Sequence, residues 1–170
     1  MVNAAARQRG DSKCNSGEAT NGTGAGDEMR RTNPRVSKIG SDAAPVRVLL
    51  VEDSPVVRER LVALLGELAN VVVIGQASDG FQALALFRQH HPDTVVLDIQ
   101  LPGINGFDLL ARFKEENPEC LVIVLTTYPF MEFRQHCIAL KADHFFDKST
   151  EFEQVAAVLG RWEAPARLTN

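Results

Sequence analysis

The chain has 170 residues, 45% of them hydrophobic and 24% charged, with a formal net charge of −4. That length suits one domain with some excess, and the apolar content can fill a sizeable core. No apolar run is long enough to span a membrane, the N-terminus lacks the apolar stretch of a secretory signal, and the part beyond residue 44, with seventeen acids against eleven bases, is a poor nucleic-acid binder.

Residues 1–44 are rich in Gly, Ala, Ser, Thr and Asn, with few large apolar side chains. Such a segment buries too little apolar surface to offset the entropy of ordering it, so a disordered tail is expected there. Its charge is nearly balanced, seven Lys/Arg against five Asp/Glu, and Met29 is an alternative start. From Val46 the pattern becomes regular. The run Val46 to Val51 reads as a buried strand that ends at two acids, Glu52 and Asp53. Ser54-Pro55 supplies an N-cap and a first-turn proline, and Val57, Leu61, Leu64, Leu65 and Leu68 then share a helical face. A second strand covers Val71 to Ala77. Asp79-Gly80 opens a helix with Ala83, Leu84 and Phe87, which stops before Pro92.

The third strand, Thr94 to Leu97, ends at Asp98. A loop with Pro102 and Gly103 leads to a helix from about Gly106, with Phe107, Leu110 and Phe113 inward. The fourth strand, Leu121 to Leu125, ends at Thr126-Thr127. Pro129 suits the first turn of a fourth helix carrying Phe130, Phe133, Cys137 and Leu140. A short fifth strand, His144 to Phe146, runs to Lys148. Ser149 or Thr150 is expected to cap the last helix, which holds Phe152, Val155, Leu159 and Trp162. Five strands alternating with five helices predict an α/β fold: a doubly wound five-stranded parallel sheet, for which 2-1-3-4-5 is a common order. The domain is expected over 45–163 with a short tail over 164–170, a stand-alone module with no attached output domain.

In such sheets the site lies at the carboxyl ends of the strands. Glu52 and Asp53, Asp98, Thr126 and Lys148 stand at successive strand ends in that order, so they converge on one pocket. Any one acid at a strand end is ordinarily just solvated; the joint pattern is specific. Carboxylates crowded together repel and need a cation to stay ionised. A hard divalent ion with oxygen ligands, Mg²⁺ above all, meets that need. Cys14, Cys120 and Cys137 have no metal-ligand spacing and fit a reducing compartment better than a disulfide framework, with Cys120 read as a core residue. The four histidines, His90, His91, His136 and His144, read as surface or packing residues.

These segments resemble the receiver domains of bacterial two-component systems, the CheY-like superfamily with its flavodoxin-like fold. The matching stretches are Leu50-Val51-Glu52-Asp53-Ser54, Val96 to Gly106, Leu125-Thr126-Thr127 and Phe145-Phe146-Asp147-Lys148-Ser149, within a resemblance spanning residues 46 to about 162. The resemblance implies that Asp98 is the phosphoacceptor. It implies a metal site of Asp53, Asp98, the backbone carbonyl of Gln100 and, mainly through water, Glu52, filled by Mg²⁺ with Mn²⁺ as an alternative. Thr126 and Lys148 would contact phosphoryl oxygens, with backbone N–H groups near Ile99 and Thr127 as further donors. Thr126 and Phe145 would form the switch pair that alters the surface of the fourth helix, fifth strand and fifth helix, where Phe130, Met131, Phe133, His136 and Trp162 are candidates. The implied partners are a sensor histidine kinase or histidine phosphotransfer protein and a downstream protein, in the cytoplasm, without nucleic acid or membrane insertion; homodimerisation is left open.

Two departures from the family pattern stand out. Ser149 follows the lysine where the family usually has proline, and Gln100 and Tyr128 flank the path of attacking water. Gln100 also stands where aspartyl-phosphate hydrolases usually carry a second acid, which disfavours that enzyme class. A phosphate sink or relay intermediate has the same site and differs in its partners. A phosphate-independent interaction domain would be marked by loss of Asp98 or Lys148, and both are present.

Overall fold

The computed structural model describes residues 44–162. The tails expected over 1–44 and 164–170 lie outside the described residues apart from Ala44, and so do Cys14 and Met29. The elements, in chain order, are β1 (Val46–Val51), α1 (Pro55–Gly66), β2 (Val71–Ala77), α2 (Gly80–His90), β3 (Thr94–Leu97), α3 (Gly106–Glu116), β4 (Leu121–Thr126), α4 (Met131–Ala139), β5 (His144–Asp147) and α5 (Gln154–Leu159). All strands pair in parallel, in the order β2-β1-β3-β4-β5. This is the expected doubly wound fold.

Alternate strand residues feed two cores. Leu49, Val51, Val95, Leu97, Val122 and Val124 meet α2, α3 and α4 through Phe87, Leu110, Phe113 and Cys137. Val48, Leu50, Val96, Ile123 and Leu125 meet α1 and α5 through Leu61, Leu65, Val155 and Leu159. Because both faces are covered, the central strands β1, β3 and β4 are apolar almost throughout, as a buried parallel sheet requires. The edge strand β2 is only partly buried and leaves Val72 exposed.

Local chemistry starts the first three helices. Ser54 Oγ accepts from Val57 N and Pro55 takes the first turn of α1. Asp79 accepts from Gln82 N at α2, and Asn105 from Phe107 N at α3. Each cap satisfies a backbone donor that the helix itself leaves free. Two expectations are corrected. Pro129 does not sit in the first turn of α4, which begins at Met131 with Phe130 as an N-cap lacking a side-chain bond. Ser149 and Thr150 do not cap the last helix. Both bond Asp147, and α5 starts only at Gln154, so Phe152 and Trp162 flank it instead of lying within it.

The acidic pocket at the carboxyl ends of the strands

Strand register brings the site residues together. Val51 is paired with Leu97, so Glu52 and Asp98 leave adjacent strands side by side. The link is closed by Asp98 N donating to Val51 O at 2.9 Å. Thr126 is paired with Asp147, and Lys148 N donates to Thr126 O at 2.9 Å, which sets the lysine at the same sheet end. The β1–α1 turn then presents Asp53, and Gly106 lets the start of α3 pack directly on the backbone of Ile99.

Lys148 Nζ lies 2.6 Å from Glu52 Oε2 and 2.6 Å from Asp98 Oδ2. Both carboxylates are buried, with Glu52 2% and Asp98 5% exposed, while Asp53 is exposed. Glu52, Asp53 and Asp98 can each offer an oxygen within 4.8 Å of the others. One ammonium thus pairs with two of three clustered carboxylates, and the donor set is all hard oxygen, which fits a divalent cation such as Mg²⁺. Burial raises the Glu52 carboxyl above its usual range; the hydrogen bond and charge of Lys148 pull the other way, and the charge of Asp98 adds to the rise. Glu52 Oε1 also accepts from Ser54 N at 3.3 Å, and Asp98 Oδ1 accepts from Gln100 N at 3.0 Å. The side chain of Gln100 is exposed.

The other predicted residues lie close in the fold but outside this cluster of contacts. Thr126 is fully buried, and its Oγ1 accepts from Tyr128 N at 3.2 Å. Phe145 is buried in the core shared with α2, α3 and α4, under the Arg134 guanidinium at 4.8 Å from its ring centroid. Phe130 and Met131 are exposed, whereas Phe133 packs edge-on against Phe107. Sequence reasoning missed Arg58. Its Nη1 donates to Glu52 O at 2.6 Å and reaches Asp53 O at 3.5 Å. The available signal was its place four residues after the capping Ser54, on the first turn of α1.

A parallel sheet of this order with acids, a threonine and a lysine at its carboxyl ends defines the class: a doubly wound α/β domain with its site at the strand ends. The particular family follows from comparison. A model of the response regulator receiver domain matches residues 48–159, and the chain belongs to that family. It is 35% identical over 124 residues to the positive alginate biosynthesis regulatory protein of Pseudomonas aeruginosa, covering 72% of this chain and 49% of that one. A protein-glutamate methylesterase/protein-glutamine glutaminase of Nitrosospira multiformis is 46% identical over 61 residues, 36% of this chain and 17% of that protein. The chain therefore spans less than half the length of either relative. Among solved structures, the signal receiver domain of the response regulator NarL from Mycobacterium tuberculosis superposes with a TM-score of 0.63 at 32% identity, covering 68% of this chain and 94% of that one. The CheX–CheY–BeF3–Mg²⁺ complex from Borrelia burgdorferi gives a TM-score of 0.61 at 25% identity, with 68% and 90% covered. Among the described residues no helix is long and apolar enough to cross a membrane.

Proposed function

We propose that this receiver domain accepts a phosphoryl group on Asp98 from a histidine kinase or histidine phosphotransfer protein and signals through protein contacts in the cytoplasm. The observation that carries this reading is the lysine bridge: Lys148 Nζ at 2.6 Å from both Glu52 and Asp98, beside an exposed Asp53. A carboxylate oxygen of Asp98 forms the new O–P bond as the P–N bond to the donor histidine breaks, and the departing ring nitrogen takes a proton. Gln100 N, bonded to Oδ1, orients the Asp98 carboxylate for that approach. Lys148 transfers its contact from Asp98 to an oxygen of the incoming group, so the charge that compensates the resting site also compensates the loaded one. Asp53, Asp98 and the Gln100 carbonyl would hold Mg²⁺, with Glu52 acting through water; when bound, the ion supplies charge neutralisation at the phosphoryl oxygens. Thr126 would exchange its bond from Tyr128 N for a phosphoryl oxygen, and Phe145 would report that exchange to the surface of α4, β5 and α5.

Phosphorylation is tested by incubating the chain with acetyl phosphate, with and without Mg²⁺, and measuring intact mass. A single phosphoryl adduct that requires Mg²⁺ and is absent from Asp98→Asn is the expected result. An adduct that survives in Asp98→Asn would place the acceptor elsewhere. Transfer from a phosphorylated kinase, followed by onward transfer to a phosphotransfer protein, separates a switch from a relay.

A further inference from the structure

We propose that Arg58 is a positioning residue of this site, pinning the backbone of the metal-binding acids so that the Asp53 carboxylate is held ready for a divalent cation. The inference rests on the reading of the pocket given above.

The β1–α1 turn has to hold two acids in register against Asp98, and they are anchored unequally. Glu52 is fixed by its backbone N–H, which donates to Ala77 O at 3.0 Å, and by its carboxylate, which meets Lys148 at 2.6 Å and Ser54 N at 3.3 Å. Asp53 is exposed, and among the described residues no ion pair holds its carboxylate. Its orientation depends on the backbone that carries it. The two carbonyls of that backbone are reached by one side chain: Arg58 Nη1 donates to Glu52 O at 2.6 Å and lies 3.5 Å from Asp53 O. Arg58 is itself tied to the turn, because its N–H donates to Ser54 O at 3.0 Å as α1 begins. The side chain of the half-buried Arg58 thus closes a ring from strand end to first helical turn and back. Guanidinium suits this role because it stays charged, is planar and offers several donors. Groups that orient metal ligands from outside the coordination shell govern affinity strongly.

Charge alone predicts the opposite effect. A cation beside a dication's site repels it, so losing the positive charge of Arg58 would tighten Mg²⁺ binding. A clamp predicts that losing Arg58 weakens binding. The sign of the change therefore decides.

The experiment is calorimetric titration of the full chain with Mg²⁺, for the native protein, Arg58→Ala, Arg58→Lys, Arg58→Gln and Asp53→Asn, together with a thermal melt of each. Arg58→Ala is expected to weaken Mg²⁺ binding about tenfold, and Arg58→Lys, with one donor retained, to recover part of that loss. Amide exchange over residues 52–54 should quicken in Arg58→Ala while β3 keeps its native rate. Tighter or unchanged Mg²⁺ binding in Arg58→Ala overturns the proposal; unchanged affinity with a lower melting temperature would leave Arg58 a plain structural tie. If Arg58→Ala fails to fold, Arg58→Gln, which also removes the charge, is read by the same sign. Asp53→Asn separates the two levels of the argument. Its binding of Mg²⁺ at native strength would sink the reading of the pocket itself, whereas loss of binding there with none in Arg58→Ala sinks the clamp alone.

Discussion

Three hydrogen bonds converge on the carboxylate of Asp147, the residue just before Lys148. Ser149 N and Oγ donate to Oδ1 at 2.7 and 2.6 Å, and Thr150 Oγ1 donates to Oδ2 at 3.2 Å. These bonds favour the ionised form, so the carboxyl is held below its usual value of 3.8, the Ser149 hydroxyl contributing most. A depressed folded value means that the turn's support is present above pH 3.8 and fades as pH falls through the lower, folded value. Ser149→Ala should move the Asp147 midpoint upward toward the ordinary range, read by NMR titration of the side-chain carboxyl; an unmoved midpoint would show that the hydroxyl is not its cause. The residue after the lysine is thus occupied by a turn-former of its own kind where the family pattern has proline. In sequence these hydroxyls read as caps of the last helix, and the structure gives them to Asp147 instead. Asp147, two residues back, lies within reach of both hydroxyls, whereas the free N–H groups of α5 begin some residues further on.

Among the elements, α3 carries a tight steric demand. A Cβ on Gly106 would lie 2.4 Å from Ile99 O, 2.5 Å from its Cα and 2.7 Å from its carbonyl carbon. All three are backbone atoms, so neither rotamer change nor side-chain rearrangement relieves the clash. Gly106→Ala should destabilise the domain by about 1–3 kcal/mol in urea unfolding. Because the displaced segment carries Asp98 and Gln100, it should also lower the yield of phosphoryl adduct; native stability and native yield together would mean that the loop shifts freely. Elements with explicit boundary chemistry were legible in the sequence: Ser54-Pro55, Asp79-Gly80 and the apolar runs that end at acids. The start of α4 was not, since Phe130 caps it without a side-chain bond and Pro129 imitates a first-turn signal. The six residues of α5 were overextended because Phe152 and Trp162 pack on the same core from flanking turns. The acids and lysine of the pocket were legible because strand ends place them. Arg58 was not, because it acts on backbone carbonyls, and its spacing from Ser54 marks only a place on the first turn of α1.

At the scale of the whole domain, the sheet is covered on both faces except at its partly exposed edge strand β2, and Lys148 joins the ends of strands β1, β3 and β5. Two buried carboxylates depend on one ammonium, at 2.6 Å from each. Lys148→Met keeps most of the stem's packing and removes the charge, leaving Glu52 and Asp98 uncompensated at 2% and 5% exposure. Breaking a buried pair in this way costs about 3–5 kcal/mol. The pH dependence identifies the cause. Burial already raises Glu52 above its usual 4.5, and without Lys148 the opposing pull is gone, so the folded value rises further. A carboxyl whose folded value is raised contributes fully below its unfolded value and loses that contribution as pH rises through the folded one. The deficit of Lys148→Met against the native chain should therefore be greatest at neutral pH and should shrink as pH falls toward 4.5 and the Glu52 carboxyl takes up its proton. Urea unfolding of the two proteins across that range, without divalent ions, measures it. A deficit of the same size at every pH would assign the loss to packing of the lysine stem rather than to the charge that links the three strands.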